Sequence, residues 1–189
     1  MLVRGKGVGC MWYGIGNTGL PNPASAFVEV HSDGTATLLA GCADIGQGSD
    51  TVLAQITAET LGITYDNVVV RSGDTGVTPE GGATSASRQT YISGNAAYFA
   101  ALEAKENILS VAAELLDCEV EDVILSENKA YSIYDSENKI DYKQVMMGLK
   151  NKGLLALGKG QFNPSASALG ENMQGIPYAT YAFATHIAE

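Results

Sequence analysis

The chain has 189 residues, 46% hydrophobic and 17% charged, which suits one soluble globular domain or two small lobes. Its 11 basic and 21 acidic residues leave a formal net charge of -10, the opposite of the basic face that nucleic-acid binding requires. No apolar run is long enough to span a membrane, and no secretory leader is recognisable, so the expected setting is the cytoplasm.

Residues 1–20 contain Gly-Lys-Gly-Val-Gly-Cys-Met-Trp-Tyr-Gly-Ile-Gly, too dense in glycine for a helix and read as an extended strand. Residues 25–41 give a hairpin: Ser25–His31 alternates apolar and polar, Ser32-Asp-Gly-Thr turns, and Thr35–Gly41 returns. A glycine turn, Gly46-Gln47-Gly48, then opens a helix with Val52, Leu53, Ile56 and Leu61 on one face and Gly62 as its stop. This turn is neither a P-loop nor a Gly-x-Gly-x-x-Gly fingerprint, since no Lys follows and the spacing differs. Asn67–Ser72 reads as a short buried strand. Glycine-rich residues 73–82 follow and lead into Gly81-Gly-Ala-Thr-Ser-Ala-Ser-Arg-Gln-Thr.

A long helix is expected from about Ser93 to Leu116, burying Ala97, Ala100, Ala104, Ile108, Val111 and Leu115; its alanines allow close packing on a sheet. Residues 122–134 read as a hairpin, Asp141 as the cap of a helix over 142–150, residues 153–162 as a strand, and 163–175 as a polar loop. The closing strand, Thr180–Glu189, puts Ala182, Ala184, His186 and Ala188 on one face. Together these elements predict an α+β fold, a two-layer α/β sandwich with a mixed sheet, in which residues 1–189 form a single unit.

Cys10, Cys42 and Cys118 are widely spaced and read as small buried hydrophobes of a reducing compartment; His31 and His186 lie far apart without metal-ligand spacing. No catalytic residue and no metal ligand is assigned in the chain. The polar turns are the chemistry-bearing features. Thr84, Ser85, Ser87 and Thr90 bring hydroxyls, Gln89 an amide and Arg88 a guanidinium, all at the start of a helix, where N–H groups point outward. Gly81 and Gly82 permit close backbone approach to a ligand. Each turn by itself is equally the pattern of a surface loop ahead of a capped helix.

Taken together in order, Gly41-Cys-Ala-Asp-Ile-Gly-Gln-Gly-Ser-Asp and Gly81-Gly-Ala-Thr-Ser-Ala-Ser-Arg-Gln-Thr-Tyr-Ile-Ser-Gly-Asn-Ala resemble the molybdenum-cofactor-binding domain of the xanthine dehydrogenase/aldehyde oxidase/carbon monoxide dehydrogenase family. The early Gly-Lys-Gly-Val-Gly and the strand after Gly175-Ile-Pro-Tyr fit as well, so the resemblance spans nearly the whole chain. It implies a molybdopterin carrying one molybdenum, alone or as molybdopterin cytosine dinucleotide. Gly46, Gln47 and Gly48 would contact its phosphate or metal end. Thr84, Ser85, Ala86, Ser87, Arg88, Gln89 and Thr90 would wrap pterin and pyrophosphate, with Ala86 near the metal and Arg88 paired to phosphate. The dithiolene sulfurs hold the metal, which accounts for the missing His/Cys cluster.

The implied reaction hydroxylates an aldehyde or N-heterocycle carbon with water-derived oxygen. The family's glutamate base falls beyond this chain, and Glu171, ahead of the last strand, does not match it. Further expectations are the remainder of a molybdenum subunit, FAD and 2Fe-2S partner domains or subunits, a small-molecule substrate, and self-association of the fragment through its free strand edge. The chain would be a piece of a larger subunit, or one part of a split one. A non-redox phosphate- or nucleotide-binding module, or a structural interaction module, is the alternative.

Overall fold

The computed structural model describes residues 3–172 and 174–189. Residues 1 and 2 of the expected first segment, and residue 173 of the expected loop, lie outside the described residues. The organising layer is a four-stranded sheet in the order β4-β3-β2-β8: β2 is Ala24–Val30, β3 Ala36–Ala40, β4 Val68–Ser72 and β8 Ala156–Phe162. β2 pairs antiparallel with β3 and β8, whereas β3 and β4 run parallel, joined by helix α1 over Ser49–Leu61. A parallel pair needs such a crossover, because a tight turn can only reverse the chain. The mixed α+β character agrees with the sequence.

The inward residues of β2 (Ala24, Ala26, Val28 and Val30) and of β3 (Ala36, Leu38 and Ala40) are buried against α1 and α2, the latter Gly94–Leu116. Ala97, Ala100, Ala104, Ile108 and Val111 of α2 are buried as expected, but Leu115 is half exposed, since the helix runs on past the sheet. The close seat of α2 has a definite cause. A Cβ at Gly158 or Gly160 of β8 would stand 1.9 Å from the Ala100 or Ala96 carbonyl oxygen, so only glycine lets strand and helix touch backbone to backbone.

On α1 the expected face is shifted. Leu53 and Leu61 are buried, Val52 and Ile56 only half-buried, and Thr57 and Thr60 are buried with their hydroxyls donating to the Leu53 and Ile56 carbonyls at 2.9 and 2.7 Å. Those internal bonds let threonine serve as a core residue.

A three-stranded antiparallel sheet, β5 (Val123–Ser126), β6 (Lys129–Ser132) and β7 (Asp135–Asp141), replaces the expected hairpin. The third strand is missed because Asp-Ser-Glu-Asn-Lys carries no apolar alternation: all five residues are exposed. Helix α3, Tyr142–Asn151, begins with a capping box of Asp141 and Gln144. The first and last strands, β1 (Gly7–Ile15) and β9 (Thr180–Ala188), form a separate two-stranded antiparallel ribbon pairing Trp12 with Phe183 and Gly9 with His186. Ala182, Ala184, His186 and Ala188 do share a face, with Tyr13, Met11, Gly9 and Gly7 opposite. Cys42 is buried, Cys118 half-buried and Cys10 exposed on the ribbon, so the expectation of three buried thiols fails at Cys10.

Candidate functional site

Both polar turns leave the sheet at the carboxyl ends of its parallel pair. β3 leads through residues 41–48 into α1, and β4 through residues 73–88 into α2. That edge is where open α/β sheets place ligand crevices, because the loops there fan apart. The turns converge through backbone contact. A Cβ on Gly41 would lie 2.0 Å from the Pro79 oxygen, and one on Gly81 would lie 2.7 Å from the Gly41 carbonyl carbon. Gly81 therefore serves approach of one turn to the other, rather than to a ligand. Gly82, at φ +69°, makes room for the Arg88 guanidinium, whose nitrogens would stand 2.6 and 2.7 Å from a Cβ there.

Thr84 is the joint. Its Oγ1 accepts from the Ala43 N–H at 2.9 Å and from Gln89 Nε2 at 3.1 Å, tying the first turn to the second. Ser93 Oγ in turn donates to Gln89 Oε1 at 2.7 Å, within one π-helical turn over Gln89–Ser93 that precedes α2. The Gly16 N–H donates to the Ala86 carbonyl at 3.0 Å, bringing the end of β1 to the same place.

The result is a cleft of about 410 Å³ whose walls are Tyr13, Ile45, Gln47 and the run Thr84, Ser85, Ala86, Ser87, Arg88, Gln89 and Thr90. Of the sequence-expected residues, it gathers all but Gly46 and Gly48, which flank Gln47 in the same turn. Tyr13 and Ile45 were not foreseen, since neither carries a polar signal.

The two walls differ in what they offer. In the second, Ala86 and Ser87 both adopt the left-handed region, at φ +50° and +55°, which turns the backbone sharply at the cleft. Among the described residues neither N–H has a hydrogen-bond acceptor, and the Ser85, Ser87 and Thr90 hydroxyls have no partner. In the first wall, Gln47 Oε1 accepts from the Ile45 N–H at 2.7 Å while its Nε2 donates to the Ala43 carbonyl and to Ser49 Oγ, each at 3.0 Å. The Gln47 amide thus staples its own turn.

Asp44, which the sequence reading passed over, accepts N–H donors from Gly46 at 2.8 Å, Gly48 at 3.3 Å and Asp50 at 3.1 Å. Those bonds, the Gly46 one foremost, hold its carboxyl below the usual carboxylate range. The signal was available: Asp two residues before Gly at a helix start is the pattern of an Asx turn.

Arg88 departs from the phosphate-pairing role. It is 1% exposed, and its terminal nitrogens donate to the carbonyls of Gly81, Ala83 and Pro23. Burial pulls the guanidinium below its ordinary pKa, opposed by the charge of Glu80. A fork already spent on carbonyls cannot also grip a phosphate in two-point fashion, so Arg88 pins the Gly81–Ala83 backbone. Its Nε alone is buried without a partner. Glu171 lies exposed in the 163–172 loop and is not part of the cleft. Among the described residues no group of three or more His, Cys, Asp or Glu could hold a metal ion. No helix of the described residues is long and apolar enough to cross a membrane.

A family model described as a molybdopterin cofactor-binding domain matches residues 1–189. The chain is 42% identical over 118 residues to the putative xanthine dehydrogenase molybdenum-binding subunit XdhA of Escherichia coli (strain K12), covering 61% of this chain and 16% of that protein. It is 31% identical over 125 residues to the nicotine 6-hydroxylase large subunit of Paenarthrobacter nicotinovorans, covering 66% of this chain and 15% of that protein. In fold it matches 97% of its length to quinoline 2-oxidoreductase from Pseudomonas putida 86, with a TM-score of 0.74, 22% identity and 24% of that chain covered.

Proposed function

The chain belongs to the molybdopterin cofactor-binding domain family, and from that membership we propose that it forms one wall of the cofactor site in a larger molybdenum hydroxylase. It spans 16% and 15% of the two curated relatives described, so the reaction belongs to an assembly and not to this segment. One observation carries the reading: Thr84 joins two glycine-rich turns around a single cleft, and the second turn lines it with donors that have no partner. A molybdenum-bearing molybdopterin fits this donor set, because its pterin edge and phosphate demand several hydrogen-bond donors and it needs no protein ligand to the metal.

When bound, the group supplies transfer of water-derived oxygen to an aldehyde or N-heterocycle carbon. The residues of this chain bind and orient. The Ala86 and Ser87 N–H groups and the Ser85, Ser87 and Thr90 hydroxyls donate to the cofactor's polar periphery. Gln89, braced by Ser93, fixes Thr84, and Gln47 holds the facing turn at a set distance. Tyr13 and Ile45 line the flanks of the cleft with apolar surface. Gly46 and Gly48 flank Gln47 with open space where their Cβ atoms would be. No His, Asp or Glu lines the cleft, so a proton-accepting base, like the FAD and 2Fe-2S centres for the electrons, would be supplied by the rest of the assembly. The assembly is cytoplasmic.

Elemental and pterin analysis of the native protein containing this chain tests the proposal. One molybdenum and one pterin per copy are expected. A protein with neither, carrying instead a simple nucleotide, would overturn it in favour of a non-redox module.

A further inference from the structure

The first and last strands stand apart from the other sheets. β1 and β9 pair with each other over nine positions and, among the described residues, with no other strand. A two-stranded ribbon is marginal by itself in water, and a third strand or a packed layer is what makes it stable. Direct partners across the ribbon share a face. One face brings Tyr13 to the cleft. The other sets Val8 against Ile187, Trp12 against Phe183 and Gly14 against Tyr181.

This second face is apolar, ordered and bare. Trp12 is 68% exposed and Phe183 76%, and Val8 and Ile187 are equally open beyond them. The Trp12 and Phe183 rings stack, 6.4 Å apart and 6° from parallel, and the Tyr181 ring lies 5.3 Å from Trp12. Tyr178 meets Tyr181 at 5.5 Å and covers Gly14, where a Cβ would stand 2.5 Å from its ring. Four aromatic side chains thus form one ladder, covered at the Gly14 end and exposed at the Trp12 end. Neither strand contains Asp, Glu, Lys or Arg, in a chain whose net charge is -10. Aromatic enrichment with charge depletion is the composition of an interface core, and contiguous exposed apolar surface of this kind marks a docking site. No lysine, proline or bulge guards the ribbon, although these are the devices by which exposed strands stay unpaired.

We propose that the Trp12–Phe183 face is an interface, and that its occupant is an uncharged apolar surface of the larger protein containing this segment. The curated relatives decide between occupants. This chain spans 16% and 15% of the two described, so most of such a polypeptide lies elsewhere. A surface tethered in the same protein meets the face at high effective concentration. A second copy lacks that advantage, and two copies of charge -10 repel each other. The stacked rings hold one another in place before the partner arrives, so docking costs little side-chain order. The inference takes from the functional proposal only the larger protein, and is independent of what fills the cleft.

Hydroxyl-radical labelling of the native protein containing this chain, read by mass spectrometry, tests the exposure of each side chain. Tyr134, 80% exposed between β6 and β7, is the internal reference. With rates normalised to the unfolded protein, Trp12 and Phe183 should be labelled about tenfold more slowly than Tyr134, because an interface core packs like a protein interior. The occupant is identified by photo-cross-linking in the Phe183→p-benzoylphenylalanine variant, prepared from mixed light and isotope-labelled copies. Links should join position 183 to peptides of the same copy outside residues 1–189.

Trp12 and Phe183 labelled as fast as Tyr134 would overturn the proposal, and so would protection without such links. Links that run to a second copy or to a different polypeptide count against it equally. Molybdenum analysis of the same sample judges the cofactor reading by itself. A protein without molybdenum, in which Trp12 and Phe183 remain protected and linked, leaves the interface standing.

Discussion

The turns at 44–48 and 83–90 face one another across the same cleft, both rich in glycine or small residues and both ahead of a helix, yet they meet it in opposite conditions. In the first, Asp44 and Gln47 take up the backbone donors and acceptors of the turn itself. In the second, the backbone is held from behind. Arg88 grips the carbonyls of Gly81, Ala83 and Pro23, and the donors on the cleft side stay free. The lesson concerns inference from glycine-rich motifs. Composition tells where the backbone can bend, but the binding capacity of a turn depends on which of its N–H groups have been claimed internally. Orientation of a ligand between two such turns follows from that difference.

Arg88→Ala is the harshest way to break the contrast. Deleting the guanidinium leaves the buried Gly81 carbonyl without a donor, at a cost of about 1–3 kcal/mol, while water can partly replace the part-buried bonds to the Ala83 and Pro23 carbonyls. Unfolding in urea should show stability lower by about 2 kcal/mol or more, with molybdenum lost from the native protein. Arg88→Lys should not restore it, since a point donor cannot span carbonyls on separate segments. A variant as stable as the parent would show that the second turn holds its shape unaided.

Gln47→Ala sharpens the contrast at smaller scale. The side chain is exposed and water can replace its bonds, so stability should fall by about 1 kcal/mol or less. Molybdenum content should fall by about tenfold or less as the Ile45–Ser49 turn loosens. Loss of stability equal to that of Arg88→Ala would place the structural weight on the wrong turn.

Much of this was legible in the sequence. The hairpin of β2 and β3 follows from strict alternation, α1 ends at Gly62 in the left-handed region, and the Asp141 cap was readable one residue at a time. The gathering of Gln47 with residues 84–90 was expected from resemblance; no periodicity could have placed residues so far apart in sequence in one cleft. What stayed hidden shares a physical cause. β7 lacks apolar alternation and forms because β6 offers it an edge. Leu115 is exposed because the sheet ends beneath it. Whether Arg88 faces a phosphate or a set of carbonyls depends on the path of Gly81–Ala83, fixed by the Gly41–Gly81 contact far away in sequence. Each is a tertiary decision, and one residue's type does not contain it.

The central claim is that the cleft works because Thr84 holds the two turns together, and molybdenum content of the native protein carrying Thr84→Val tests it most directly. Valine keeps the shape and removes the acceptor shared by the Ala43 N–H and the Gln89 amide. Molybdenum per copy should fall by about tenfold or more, in keeping with the loss of both hydrogen bonds that join the turns, while circular dichroism and the unfolding midpoint change little. A Thr84→Val protein with full molybdenum content and an intact fold would contradict the account.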